Sequence, residues 1–472
     1  GLPTMAVRES RERVKSALRN SGYPFPMTHI TVNLAPADLK KEGSGLDLPI
    51  AIGVLVSAGY IRQEMIDGRI FVGELSLDGG VRKVGGVLSM VMEAKREGFK
   101  EIYIPLENIA EGKLVKDIEV YPVTSLKQLV LHLNGVQKIK PLPKENILRN
   151  LDRAYDVDFS DVKGQPVARR ALEIAAAGGH SILMMGSPGC GKTMLARRLV
   201  TILPPVTEAE ALEITKIYSI VNMLPNAESV MVERPFRSPH HSVSASALLG
   251  GGTYPRPGEV TLSHNGVLFL DELPEFERAA LEMLRQPLED GEVNISRVRG
   301  SMNFPSKFLL VAAQNPCPCG YYGDTLKHCV CKQKAIDNYR KRISGPLLDR
   351  IDMQINLKRV EFSELKAKAS GECSAEIRKR VVKARVVQLE RFAGSNIYCN
   401  AQMTRREVTQ YCQLDEETQA VLGKYFTALN LSARSHDRIL KVARTIADLA
   451  GSSKITTTHI AEAIQLRTNI NG

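Results

Sequence analysis

Tryptophan is absent from this 472-residue chain, and aromatic residues make up only 5% of it. That argues against base stacking as the main mode of any nucleic-acid contact. Long apolar runs are also missing. The most apolar stretch, Leu48 to Ile61, is too short to span a bilayer and carries Pro49, Gly53 and Gly59. No basic–apolar–small signal pattern opens the chain, which begins at Gly1 rather than Met. We find no internal repeat and no low-complexity tract. With 43% hydrophobic and 24% charged residues, a collagen, a mucin-like stalk and a wholly disordered tail are excluded. The expectation is a cytoplasmic protein with no membrane partner, and a length of about three domains. Acidic residues are the scarcer sign, 52 against 63 basic, for a net charge of +11. This suits an acidic partner such as nucleic acid.

Along the chain, residues 1–135 alternate strand-like and helical patterns. Thr28 to Leu34 reads as a strand, with β-branched residues at every second position. Val87 to Arg96 has helical spacing and ends before Gly98, and Glu101 to Pro105 is a short strand closed by proline. Residues 136–158 read as a linker, because Lys138, Lys140, Pro141, Pro143 and Lys144 break any core pattern. Residues 159–360 form a second αβ pattern. Buried-strand runs at Ser181 to Met185, Val267 to Leu270 and Phe308 to Ala312 predict a parallel sheet with covered faces. A Gly/Pro/Ser/His-rich excursion occupies 235–265. Residues 361–472 read as helical, without a strand.

The strongest motif is Gly186-Ser187-Pro188-Gly189-Cys190-Gly191-Lys192-Thr193, a GxxxxGK[ST] phosphate loop. It follows an apolar strand and opens a helix, as the motif requires. Glycines such as Gly186, Gly189 and Gly191 let backbone N–H groups wrap phosphates, and the helix N-terminus adds a favourable field. Lys192 is expected on the β- and γ-phosphates and Thr193 on Mg²⁺. Downstream, four apolar residues end in Asp271-Glu272. Asp271 is expected to hold Mg²⁺ through water and Glu272 to polarise the attacking water. Two carboxylates alone are equally a solvated turn; the upstream phosphate loop favours the functional reading.

Four of the eight cysteines, Cys317, Cys319, Cys329 and Cys331, form CxC-x9-CxC. Four thiolates in fifteen residues can close a tetrahedral structural Zn²⁺ site, with His328 as a substitute ligand. The alternative is a reduced, metal-free loop. His240 and His241 are adjacent, so their side chains are expected to diverge; they sense nucleotide or cap a turn. The segment with Arg378, Lys379, Arg380, Lys383, Arg385 and Arg391 is markedly basic, which is usually a solvated helix face and otherwise a DNA contact.

Residues 159–472 resemble an AAA+ ATPase of the magnesium-chelatase subunit I branch, and nearly the whole chain resembles the ComM/YifB family. Three stretches carry the resemblance: Asn33-Leu34-Ala35-Pro36-Ala37-Asp38-Leu39, Phe236-Arg237-Ser238-Pro239-His240-His241-Ser242, and Ile343-Ser344-Gly345-Pro346-Leu347-Leu348-Asp349-Arg350-Ile351-Asp352. The fold class it implies is α/β: an AAA+ P-loop domain with a parallel sheet and a helical lid, preceded by an S5-like α/β domain. It assigns Asn315 as the polar sensor near the γ-phosphate and Arg350 as the arginine finger reaching a neighbour's ATP. It assigns Arg434 as the second sensor on the lid, and Val162, Gly164 and Gln165 as the cover of the adenine. A finger acting in trans implies a homo-oligomeric ring, and the family implies a hexamer.

By the same resemblance the 235–265 excursion is a protruding helix-2 insertion. Val293 to Gly300, alternating apolar and polar residues, looks like the pore hairpin before the first sensor. Arg297 and Arg299 are expected on one side of that strand, tracking DNA phosphates. Residues 1–135 resemble a Lon-protease-like domain, N-terminally truncated. Gly45 stands where its serine belongs and Leu88 where its lysine belongs, so this domain is expected to be inactive; Ser44 with Lys83 is a residual alternative. The reading is an ATP- and Mg²⁺-dependent motor, a helicase acting on single-stranded and branched DNA. It is expected to drive branch migration at recombination intermediates during natural transformation. The alternative is a chelatase-like protein remodeller without DNA translocation.

Overall fold

The structure is a computed structural model that describes residues 5–27, 29–34, 44–144, 155–224, 230–252, 255–297, 300–324, 326–360, 371–395, 397–429 and 431–468. The chain forms two compact units. One comprises Gly1–Leu151 and Thr207–Val232; the other comprises Asp152–Val206 and Glu233–Gly472.

The first unit is built on a parallel three-stranded sheet, β1 (Arg69–Phe71), β2 (Glu101–Pro105) and β3 (Glu119–Val123), in that spatial order. Phe71, Tyr103 and Tyr121 are partners in register, and their rings stack at 5.0 and 4.9 Å. Such cross-strand aromatic pairs hold register. The predicted helix Val87–Arg96 is present with those bounds. Helix Asp47–Ser57 opens on a buried carboxylate: Asp47 accepts from Ser10 Oγ at 2.5 Å and pairs with Arg13 Nε at 2.7 Å.

Three expectations change here. Residues 29–34 form no strand, and no described strand pairs with them; alternation without a ladder partner does not make a strand. Thr28 lies outside the described residues. Residues 136–144, read as linker, pack on this unit: Ile139 is buried, and Leu142 N donates to Val120 O at 2.8 Å. Helix Glu208–Ile220, placed by sequence in the ATPase core, belongs to this unit. Thr207 and Glu210 close a capping box at its start. Near its end Ser219 Oγ accepts from Gly86 N at 3.1 Å and donates to Glu111.

The second unit holds a five-stranded sheet. Its strands are β4 (Ile182–Gly186), β5 (Phe236–Arg237), β6 (Val267–Leu270), β9 (Leu309–Gln314) and β10 (Met353–Leu357), with a separate hairpin of β7 (Glu292–Arg297) and β8 (Gly300–Pro305). The sheet order is β10-β4-β9-β6-β5, parallel throughout. Every residue of β4, β6 and β9 is buried. Alternate residues feed two cores: Met184, Phe269 and Val311 face one, and Leu183, Leu268 and Leu310 face the other. Continuous apolar strands are what a sheet covered on both faces needs.

The excursion at 235–265 begins as the edge strand β5, which sequence reading missed because it is two residues long. It continues through helix Ala245–Leu249 into a small ribbon. Gly250 packs there so closely that a Cβ would lie 2.6 Å from Ile295 Cδ1 of β7. Leu248, Leu249 and Gly250 of the excursion are buried, while Ser242, Ser244, Ser246, Gly252 and Arg256 are exposed.

After β10 the described residues form helices only, as expected: Ser374–Arg391, Arg405–Tyr411, Glu416–Ala428, Ala433–Leu449 and Thr457–Thr468. The basic helix is not a free cationic face. Arg378 donates to Thr201 O at 2.7 Å, and Arg380 pairs with Glu173 at 2.6 Å. Arg385 donates to Ala176 O at 2.9 Å, and Arg391 pairs with the buried Asp448. These arginines pin the lid to the core and to itself. Among the described residues, no helix is long and apolar enough to cross a membrane.

Asp352, one residue before β10, ties sheet to lid. It accepts from Ser181 N at 3.1 Å, lies 3.4 Å from His180 Nδ1 and pairs with Arg438 of helix Ala433–Leu449. Burial alone would raise its carboxyl; Arg438 and His180 outweigh that and hold it well below the usual carboxylate range. Removing one partner of a buried pair strands a charge, at a cost of about 3–5 kcal/mol. Arg438→Met is expected to lose about that much stability in urea unfolding followed by far-UV circular dichroism. Because the folded carboxyl titrates low, the pair contributes fully above about pH 4 and fades as pH falls further. The deficit of Arg438→Met relative to wild type should therefore shrink on acidification.

Candidate nucleotide site

The phosphate loop leaves β4 and enters helix Lys192–Leu199. Gly189 and Gly191 take φ of 80° and 93°, where a side chain is strained. Lys192 is nearly buried. Its Nζ donates to Gly186 O at 2.6 Å, Ser187 O at 3.2 Å and Asn315 Oδ1 at 3.0 Å. Burial pushes the Lys192 ammonium below the ordinary lysine value, against the pull of Cys190, Asp271 and Glu272. A phosphate arriving there would supply the negative charge this ammonium lacks.

Strands β6 and β9 bring the next groups alongside. Thr193 Oγ1 donates to Asp271 Oδ2 at 2.8 Å, so the two residues expected on Mg²⁺ already touch. Asn315 directly follows β9 and reaches Lys192 across the sheet ends. Glu272 sits in the left-handed region at φ 52°, a conformation that costs a non-glycine residue about 1–3 kcal/mol. Its carboxylate lies 3.3 Å from His241 Nδ1. His241 follows β5, the strand beside β6, which explains the approach. The His240 and His241 rings do not diverge; their centroids are 4.0 Å apart. The histidines open a turn, in which Val243 N donates to His240 O at 2.9 Å, so the extended-chain alternation behind the expected divergence does not apply.

Val162 is buried, Gly164 takes φ 62° and Gln165 φ 55°, and Gln165 Nε2 donates to Cys190 O at 3.4 Å and to Lys358 O. The segment expected to cover the adenine thus adjoins the phosphate loop.

Arg350 and Arg434 lie together elsewhere. Arg350 is 6% exposed; its Nε donates to Glu289 Oε2 at 3.0 Å and its Nη1 to Pro346 O at 2.9 Å. Arg434 Nη2 is 3.9 Å from Glu289 Oε1. Burial would raise the Glu289 carboxyl, but Arg350 draws it below its ordinary value. Glu289 and Arg350 border a cavity of about 570 Å³, lined also by Met283, Asn294 and Ser296. Among the described residues, no hydrogen bond or ion pair links either arginine to the phosphate loop. Sequence reading missed Glu289 and His241, since neither sits in a motif that marks its partner.

The four cysteines expected on zinc converge. Cys317 and Cys319 sulfurs are 3.4 Å apart, Cys317 and Cys329 3.7 Å, Cys319 and Cys329 3.6 Å. Cys331 joins them, all four sulfurs lying within 4.8 Å of one another; His328 is not in the group. Sulfurs bound at about 2.3 Å to a tetrahedral Zn²⁺ would be about 3.8 Å apart, so the set fits that ion.

Residues 158–365 match the family model "Magnesium chelatase, subunit ChlI", residues 1–108 "Subunit ChlI of Mg-chelatase", and residues 371–467 "Magnesium chelatase, subunit ChlI C-terminal". Competence protein ComM of Haemophilus influenzae is 45% identical over 471 residues, covering 99% of this chain and 91% of that protein. The chain belongs to the ComM/YifB family of magnesium-chelatase-like AAA+ ATPases. YifB of Escherichia coli, an uncharacterized protein, is 43% identical over 472 residues, with 99% and 90% covered. The magnesium-chelatase 38 kDa subunit of Rhodobacter capsulatus is 26% identical over 176 residues, 34% of this chain and 50% of that one. The parallel sheet and strand-end residues above are the α/β P-loop arrangement of this family, which implies ATP and Mg²⁺.

Other expected positions fall apart from this site. β7 and β8 pair antiparallel, with Arg297 opposite Gly300. Arg299 lies outside the described residues, and Arg297 ends β7. In the first unit, Ser44 donates to Glu74, and Leu88 is buried in helix Val87–Arg96. No Ser44–Lys83 hydrogen bond occurs among the described residues.

Replacing Glu272 by Gln removes the carboxylate expected to polarise the attacking water and keeps the shape. It is expected to retain fluorescent-ATP binding and to lower ATP turnover by about 10²-fold or more. Lys192→Ala should lose the binding itself, which the same titration measures.

Proposed function

We propose that this chain is one subunit of a ring-forming ATP-driven motor that moves on DNA. Its proposed task is branch migration at recombination intermediates, serving the integration of DNA during natural transformation. The observation that carries the ring is the gathering of Arg350 and Arg434 on Glu289, with no hydrogen bond or ion pair to their own phosphate loop among the described residues. A cation that exchanges this carboxylate for a neighbour's γ-phosphate would stabilise spreading charge in phosphoryl transfer. By family resemblance the ring is a hexamer. The DNA part is supported by the name of the competence relative, the net charge of +11, and a hairpin in which Arg297 is the last residue of β7. Four thiolates would hold a structural Zn²⁺. The proposed compartment is the cytoplasm.

A second reading is a chelatase-like remodeller that works on a partner protein without DNA translocation. The chelatase family descriptions across all three segments favour it.

Labelled three- and four-stranded branched DNA, incubated with ATP, separates the two. Strand exchange by this protein that Lys192→Ala abolishes is the expected result. Robust ATP hydrolysis with no DNA movement, and no stimulation by DNA, would favour the remodeller. A finger acting in trans makes a further prediction. Arg350→Ala and Lys192→Ala proteins, each inactive, should regain part of the ATP turnover when mixed, because mixed rings contain some intact interfaces. No recovery in a mixture shown to exchange subunits would place Arg350's action within its own chain.

A further inference from the structure

The cysteine segment also touches the nucleotide site, at three places. Cys317 is fully buried two residues after Asn315, whose Oδ1 accepts from Lys192 Nζ at 3.0 Å. Gly320, at φ 86°, packs so tightly on Pro188 of the phosphate loop that a Cβ would lie 2.6 Å from the proline ring. The Asp324 carboxylate accepts a hydrogen bond from the Ser187 hydroxyl, one residue along that loop. Described residues from Asn315 to Lys332 form neither helix nor strand. An irregular segment of this length has little of its own to hold three contacts in place, and a cross-link that closes it removes much of its freedom.

The four sulfurs supply that cross-link. Backbone N–H groups point at them: Tyr322 N donates to Cys317 Sγ at 3.3 Å, and the backbones of Tyr321 and Val330 donate to Cys319. Donors of this kind stabilise thiolate charge and orient metal ligands. Four protein sulfurs leave no open position, so the site is structural in kind.

We propose that Zn²⁺ held by Cys317, Cys319, Cys329 and Cys331 is a strut for the phosphate loop, so that metal and nucleotide bind with positive coupling. The inference rests on the nucleotide-site reading and adds a metal whose role is to position Asn315, Pro188 and Ser187. It requires no redox step and no open coordination position. Linkage makes the coupling reciprocal: the factor by which zinc tightens nucleotide equals that by which nucleotide tightens zinc.

The test uses the whole purified protein and mant-ADP. Zinc released by a mercurial reagent and read with a metallochromic dye is expected at one per chain. Stripping with a zinc-selective chelator should weaken mant-ADP binding by a factor of about 5–150, and reloading should restore it. On the untreated protein, saturating ADP should raise the chelator concentration needed to release zinc by the same factor. Asp324→Ala should keep its zinc and still bind mant-ADP more weakly, a readout that survives if stripped protein unfolds. Sub-stoichiometric zinc in the native protein, another metal in its place, or zinc release indifferent to ADP would overturn the proposal. If native zinc-loaded protein binds no mant-ADP, the nucleotide reading itself fails, and that result is distinct from a failure of coupling.

Discussion

The buried carboxylate of Asp352 sits where three parts of the ATPase unit meet. Ser181 and His180 approach it from the entrance to β4, Arg438 from the lid, and its own backbone leads into β10. A charge so enclosed tolerates few arrangements, because every partner must be present for the burial to be affordable. Ile351 and Arg350 come just before it. Arg467 of the last helix donates to the carbonyls of Ile351 at 2.6 Å and Asp352 at 3.1 Å. Arg350 therefore sits directly before the groups that join sheet and lid. A shift of the lid acts on Arg350 through a short, stiff segment rather than through a loose loop.

The nucleotide groups share one geometric origin. β4, β9 and β6 are adjacent and parallel, so their C-terminal ends line one edge of the sheet. The phosphate loop, Asn315 and Asp271 each follow one of these ends directly. Glu272 is then set by the left-handed turn after β6 and by the histidine that the edge strand β5 delivers beside it. Parallel sheets place ligands at such ends because the loops there converge while the faces stay covered.

Much of this was legible in the sequence because each signal was local. Continuous apolar runs marked β4, β6 and β9, and the phosphate loop carried its strand and helix within a dozen residues. The cysteines announced themselves by spacing. What stayed hidden depends on distant partners. Two-residue β5 has no periodicity to detect. Glu289 is one more acidic residue on a short helix until Arg350 and Arg434 arrive from 61 residues on and from the lid. The arginines of helix Ser374–Arg391 looked like a solvated face because sequence shows charges and not the carbonyls of Thr201 and Ala176 that receive them. Residues 29–34 had the right alternation, but no strand among the described residues pairs with them.

Helix Glu208–Ile220 has a consequence for how the two units are joined. The backbone passes from one unit to the other at Leu151, at Val206 and again at Val232. Three covalent crossings make the units topologically inseparable by any single cut. A protein beginning at residue 159 would carry this helix without helix Val87–Arg96, which packs against it. A protein ending at residue 135 would leave Val87 and Leu88 without the helix beside them. Two of the three crossings bracket a single inserted segment, so the chain of the first unit is interrupted by, and continues beyond, the stretch that carries the phosphate loop.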